Sequence, residues 1–169
     1  QAVDEDLERR MYAHTIERLD AIGWTMYEIS NFARAGEESR HNLVYWANDA
    51  YFGLGVGAAR YVHGVRAVNT RELNAYLRRI EADQEATGPH ERLDPEERAR
   101  ETAMLMLRRT VQGIERSDFL FRTGFDLDQL AGPVVERFVR RGLLEDDGER
   151  VRFTREGVFF ADTVLCELV

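Results

Sequence analysis

Apolar residues recur every three or four positions over residues 4–22. Leu7, Met11, Ile16, Leu19 and Ile22 form one stripe, and this spacing predicts an amphipathic helix. Gly23 follows where a left-handed residue commonly ends a helix. The pattern then changes, because Trp24 to Ile29 is short, aromatic and β-branched and reads as a strand. A helix, a glycine and a buried strand make half of a βα repeat, whose other strands would lie upstream. Ser30 to Ser39 is a polar loop around Gly36. Gly53 to Val62 reads as a second strand, with a turn at His63-Gly64 and a return strand through Val68. Thr70 is expected to cap a helix in which Leu73, Tyr76, Leu77 and Ile80 share a face. The charged stretch after it, with Gly88-Pro89, reads as a linker over residues 87–93.

Residues 94–169 carry a different rhythm. Asp94, Pro95 and Glu97 spell a capping box with proline at the first helical position, so a helix runs from there to about Thr110. Further helices are expected near 117–123 and 126–141, the second interrupted at Gly132-Pro133. Leu143 to Phe153 holds a turn at Asp146-Asp147-Gly148-Glu149 and an alternating strand. A last helix runs from Thr154 to the end. The fold class expected is α/β followed by mostly α: the tail of a partial (β/α) barrel in 1–86, then a helical, winged-helix-like domain in 94–169.

Composition narrows the chemistry. The chain has 169 residues, 44% of them apolar, enough for a packed core, and no apolar run long enough to cross a membrane as a helix. Its 31 acidic residues outnumber 23 basic ones, all arginine. The net charge of −8 argues against an extended nucleic-acid footprint, and the lack of lysine excludes Schiff-base chemistry from within the chain. Cys166 is the single cysteine. It permits no internal disulfide, fits a reducing cytoplasm, and cannot build an iron–sulfur cluster. Its apolar surroundings (Val164, Leu165, Leu168) predict a buried packing residue. No signal-peptide pattern opens the chain, and a start at Gln1 in place of Met suggests a fragment or processed product.

The densest chemistry lies in His41-Asn42-Leu43-Val44-Tyr45-Trp46 and in Gly53-Leu54-Gly55-Val56-Gly57-Ala58. A neutral imidazole from His41 can ligate a metal or an iron porphyrin, and Tyr45 and Trp46 offer flat faces with polar edges. The same histidine also suits a loop in which it only satisfies backbone groups. Glycines at every second position would leave one bare strand face for a flat ligand or a tightly packed helix. They do not match a dinucleotide fingerprint, because no third glycine opens a helix. Glu28 and Asn31 lie at the end of a strand, where α/β folds place ligands. Arg34, Arg40 and Arg60 flank these segments as candidate carboxylate clamps. His14, His63 and His90 read as solvated. Arg137, Arg140, Arg141, Arg150, Arg152 and Arg155 would suit a DNA-binding wing, although Glu136, Glu145, Asp146, Asp147 and Glu149 are interleaved with them.

Three strings carry a family resemblance: Tyr27-Glu28-Ile29-Ser30-Asn31-Phe32-Ala33-Arg34, Ser39-Arg40-His41-Asn42-Leu43-Val44-Tyr45-Trp46, and Gly53 to Ala58. Together they resemble the HemW family of heme chaperones, a radical-SAM group related to the oxygen-independent coproporphyrinogen III oxidase HemN. The resemblance extends over essentially the whole chain and is most specific in 27–58. It implies a parent with a partial barrel, a [4Fe–4S] cluster and S-adenosylmethionine. The family's CxxxCxxC motif has no counterpart here, so this chain alone is expected to be inactive in radical chemistry. It further implies heme binding by His41, as metal ligand, with Asn42, Tyr45 and Trp46. Contact with the adenosyl cofactor is implied for Gly55, Gly57 and Ala59, with Glu28 as a polar pocket residue. The implied partners are heme or porphyrin and client hemoproteins. No nucleic acid is expected, and peripheral membrane contact and a homodimer stay open. The HNxxYW signature favours the chaperone over an oxidase of porphyrin biosynthesis or a bare winged-helix binding module.

Overall fold

The computed structural model describes residues 4–169. Helix α1 (Glu5–Asp20) starts at Asp4, whose carboxylate accepts from the Asp6 amide, and Glu5, Asp6 and Glu8 complement its positive end. Gly23 follows with φ +81°. Of the expected stripe Ile16 is buried, while Leu7, Met11 and Ile22 face solvent. Strand β1 (Thr25–Glu28) forms where an aromatic, β-branched run was expected. Its partner is β2 (Asn31–Ala33), inside the stretch expected to be loop. The two pair antiparallel through a turn with Ser30 at φ +76°, a local hairpin where a βα repeat was expected.

Ser39 caps α2 (Arg40–Trp46), its hydroxyl accepting from the Asn42 amide. The strand expected from Gly53 is corrected by the structure. Residues 53–58 are an irregular loop, with Gly55 at φ +101° and Gly57 at φ +69°. Those left-handed conformations cannot propagate a pleated strand, so the glycines serve turns and provide no bare strand face. The Asn69 side-chain amide ties the loop down, donating to the carbonyls of Gly53 and Gly55 at 3.1 and 2.8 Å.

Strands β3 (Ala59–Val62) and β4 (Val65–Asn69) form the expected hairpin, with Val62 opposite Val65. His63 and Gly64 both have positive φ, +53° and +72°, as a two-residue type I′ turn requires. Helix α3 (Leu73–Glu81) is capped by Glu72 and not by Thr70, whose hydroxyl donates to the Ala86 carbonyl. The stretch expected as a linker is strand β5 (Thr87–Arg92), paired antiparallel with β4. The sheet order β3-β4-β5 leaves β5 at an edge, where Pro89 needs no ladder donor.

The capping box at Asp94 and Glu97 forms as the sequence indicates and starts α4 (Pro95–Leu107). Then come β6 (Ile114–Glu115), α5 (Arg116–Thr123) and α6 (Leu127–Arg140). Helix α6 passes through Pro133 unbroken. The residue before the proline is Gly132, which lacks the Cβ that would clash with the ring. Strands β7 (Leu144–Asp146) and β8 (Arg150–Phe153) complete a small sheet of order β6-β8-β7. The expected final helix is a 3₁₀ turn (Gly157–Phe160) followed by the short α7 (Ala161–Leu165).

The core lies among these elements: Ala99, Ala103 and Met106 of α4, Phe119 of α5, Phe138 of α6, Val151 of β8 and Val164 of α7. Ile16 and Met26 join it from the N-terminal elements. Arg116 bridges Asp128 and Asp146, fixing α5 against α6 and β7, and these hydrogen bonds raise its pKa. Cys166 is exposed, correcting the expected burial: on α7's last turn Val164 and Leu165 turn inward and the thiol turns out.

Two outcomes follow. Phe138→Ala should lower unfolding free energy by about 3–5 kcal/mol in urea titrations, since the ring is fully enclosed. Cys166 should react with a disulfide reagent in the native chain nearly as fast as in denaturant; protection by folding would contradict the exposed placement.

Candidate functional site

Helical geometry splits the six-residue motif in two. Residues four apart share a face, so His41 and Tyr45 project together, and Asn42 and Trp46 project together about a quarter-turn away. The His41 and Tyr45 rings meet edge to face at 4.7 Å. His41 is exposed, and among the described residues its imidazole has no protein hydrogen-bond partner. Tyr45 continues to Tyr51 at 4.3 Å, and Tyr51 to Tyr61 at 6.3 Å. Reciprocal backbone bonds of 2.8 and 2.9 Å hold Tyr51 and Tyr61 together. An aromatic row thus runs from the surface at His41 to the buried Tyr61.

The other face holds the helix to the β1–β2 hairpin. The Asn42 side-chain amide donates to the Tyr27 hydroxyl at 3.3 Å. Trp46 lies beneath the Arg108 guanidinium, 4.6 Å from its carbon to the ring centroid. Beside it is Glu28, which has no solvent exposure at all. One Glu28 oxygen accepts from the Asn31 side-chain amide; the other has no hydrogen-bond partner. The Trp46 Nε1 and Arg108 Nε are also buried and unpartnered. Burial raises the Glu28 pKa, against the opposing effects of Asn31, Arg108 and Trp46. Glu28 therefore lies under the motif as a buried carboxyl. Two bonds tie this corner to the end of α4: the Ile29 amide to the Arg108 carbonyl at 3.1 Å, and the Thr110 hydroxyl to the Met26 carbonyl.

Gly55 and Gly57 lie in the loop before β3, and Ala59 opens that strand. Around them Phe52 is 76% exposed and Leu54 91%, an apolar rim that periodicity did not single out. Among the flanking arginines, Arg60 pairs with Glu85 and Arg34 lies over Trp24, whereas Arg40 stays exposed beside His41. His14, His63 and His90 are exposed, in agreement with the sequence. Tyr51, Tyr61 and Arg108 were not singled out in the sequence, because each reaches the site only through pairing or packing.

The basic face expected near β8 is largely neutralised. Arg137 pairs with Glu167, Arg140 with Glu136 and Arg150 with Glu115. Arg152 pairs with Glu145 and Asp147, and Arg155 with Glu17. Arg141 lies near the Phe138 ring.

Residues 93–160 match the family model described as the HemN C-terminal domain. The heme chaperone HemW of Bacillus subtilis is 36% identical over 161 residues, covering 95% of this chain and 42% of the relative. HemW of Lactococcus lactis is 30% identical, covering 95% and 41%. The chain belongs to the HemW family. It is also 32% identical to the mouse mitochondrial radical S-adenosyl methionine domain-containing protein 1, covering 99% of this chain and 40% of that one. The solved coproporphyrinogen III oxidase HemN of Escherichia coli, described as a radical SAM enzyme, superposes with a TM-score of 0.68. It is 15% identical, covering 92% of this chain and 39% of that one, so it is a likeness of fold. The chain spans about two fifths of the length of the HemW relatives it matches.

The buried Glu28 has a pH signature. A carboxyl whose folded pKa is raised binds its proton more tightly in the folded state, so its contribution to stability falls as pH rises above the unfolded value of 4.5 and through the folded one. Urea titrations across this range should show the chain losing stability relative to Glu28→Gln as pH increases. A constant difference would remove Glu28 as the titrating group.

Proposed function

We propose that this chain binds heme at the outward face of α2, with His41 as axial ligand, and passes it to client hemoproteins. The observation that carries this reading is the imidazole of His41, exposed, edge to face with Tyr45 and without a protein hydrogen bond among the described residues, on a helix whose adjoining face is fixed by Asn42 and Trp46. A neutral imidazole offers one nitrogen lone pair to iron, and Tyr45 supplies an aromatic edge for the macrocycle. A single axial bond at an exposed site holds the cargo weakly enough to release it, as transfer requires. Arg40, adjacent and free of an ion pair among the described residues, is suited to a propionate carboxylate. The HemW names of the relatives support the same reading. Asn42 and Trp46, first counted with the ligands, take positioning roles.

The parent's [4Fe–4S] cluster does not fit this chain's donors: there is one thiol, Cys166, and no group of three or more metal-binding side chains among the described residues. Gly55 and Gly57 in the loop before β3, and Ala59 at the start of that strand, remain proposed adenosyl-cofactor contacts. We read α4 to β8 as winged-helix-like from its order of helix, strand, two helices and hairpin, here a packing unit with its arginines paired.

A hemin titration followed at the Soret band, run beside His41→Ala, tests the reading. The expected outcome is a shifted, saturable band whose affinity falls on the order of tenfold or more in the variant. Equal affinities would remove His41 as the ligand.

A further inference from the structure

At the β3–β4 turn three elements meet around a hollow of about 410 Å³. The β3–β4 turn contributes His63 and Gly64, the end of β5 contributes Arg92, and the start of α4 contributes Asp94 and Arg98. A second hollow of about 220 Å³ shares His63, Gly64 and Arg98 and extends to Tyr61 and Arg122.

Arg98 is the unusual member. It is half-buried, yet among the described residues its guanidinium has no ion pair, no hydrogen bond and no aromatic ring. Most arginines in this acidic chain have one of these. Arg66, close by, pairs with Glu91 and Glu101. Gly64 makes room for Arg98: a Cβ there would lie 3.1 Å from the Arg98 Nη1. Arg92 stands opposite Val65 in the ladder and has no ion pair either. The acids at the rim are already engaged. Asp94 accepts from the Glu97 amide at 2.8 Å, and Asp49 pairs with Arg122. Burial raises the Tyr61 pKa, so its phenol keeps its proton at neutral pH. The 410 Å³ hollow is lined by two guanidiniums, Arg92 and Arg98, against one carboxylate, Asp94, whose bond from a backbone amide leaves its charge in place.

We propose that this hollow binds a phosphate group, held by the guanidinium forks of Arg98 and Arg92 with His63 as a further donor. Two forks from different elements surround a tetrahedral dianion, whose oxygens point in several directions, better than they match the two coplanar oxygens of one carboxylate. The source is free phosphate or the phosphate of a soluble phosphorylated metabolite such as a nucleotide. The site does not depend on heme binding at His41.

The test is an amide and side-chain NMR titration of the full chain at constant ionic strength, with inorganic phosphate, ADP and succinate as separate probes. Phosphate or ADP should shift the Gly64 and Arg98 resonances saturably. Arg98→Gln should weaken binding on the order of tenfold, and Arg98→Lys, which keeps the charge and loses the fork, should fall between. Circular dichroism checks that both variants remain folded. A response to both probes assigns the site to phosphate itself, and a response to ADP alone to a nucleotide. Equal binding of succinate, unchanged affinity in Arg98→Gln, or no saturable shift with either phosphate probe would overturn the proposal.

Discussion

The fully buried carboxyl of Glu28 constrains everything built around the motif. Removing such a group from water is costly, and the cost is tolerable only where donors or a neutralising proton meet it. Here Asn31 donates from the same hairpin, and the Trp46 indole and Arg108 guanidinium lie alongside. These groups belong to three different elements. β1–β2, α2 and the end of α4 thus meet around one carboxyl, and the bonds from Ile29 and Thr110 close the corner.

From that corner follows the division of work within the motif. Trp46 and Asn42 face the hairpin, so the helical repeat turns His41 and Tyr45 outward. On the sheet side the aromatic row through Tyr51 to Tyr61 backs His41 and Tyr45. The apolar rim at Phe52 and Leu54 is the neighbouring surface with least claim to solvent. Among the described residues no helix is long and apolar enough to cross a membrane.

The C-terminal elements use charge differently. The arginines of α6 and β8 are tied to acids, as are those that join α5, α6 and β7. Each exposed pair contributes at most about 1 kcal/mol, yet together they remove the free positive face that phosphate backbones require. Among the described residues, two of the arginines without an ion pair, Arg92 and Arg98, line one hollow at the β3–β4 turn. Charge composition alone could not reveal this, because pairing depends on which side chains meet in space.

What the sequence determined by itself was whatever rests on neighbours within a few positions. The Asp94-Pro95-Glu97 cap and the His63-Gly64 turn are such cases, since capping bonds and turn angles close over two to four residues. The family resemblance through residues 27–58 was legible for the same reason: its strings are contiguous. Tertiary structure decided what depends on distant partners or on the sign of a backbone angle. Alternating glycines look like a strand until positive φ at Gly55 and Gly57 turns them into a loop held by Asn69. Residues 87–92 look like a linker until β4 offers an edge to pair with. Cys166 looks buried until α7 ends early and rotates it outward. Local bonds are encoded where they form, whereas burial and pairing belong to the whole fold.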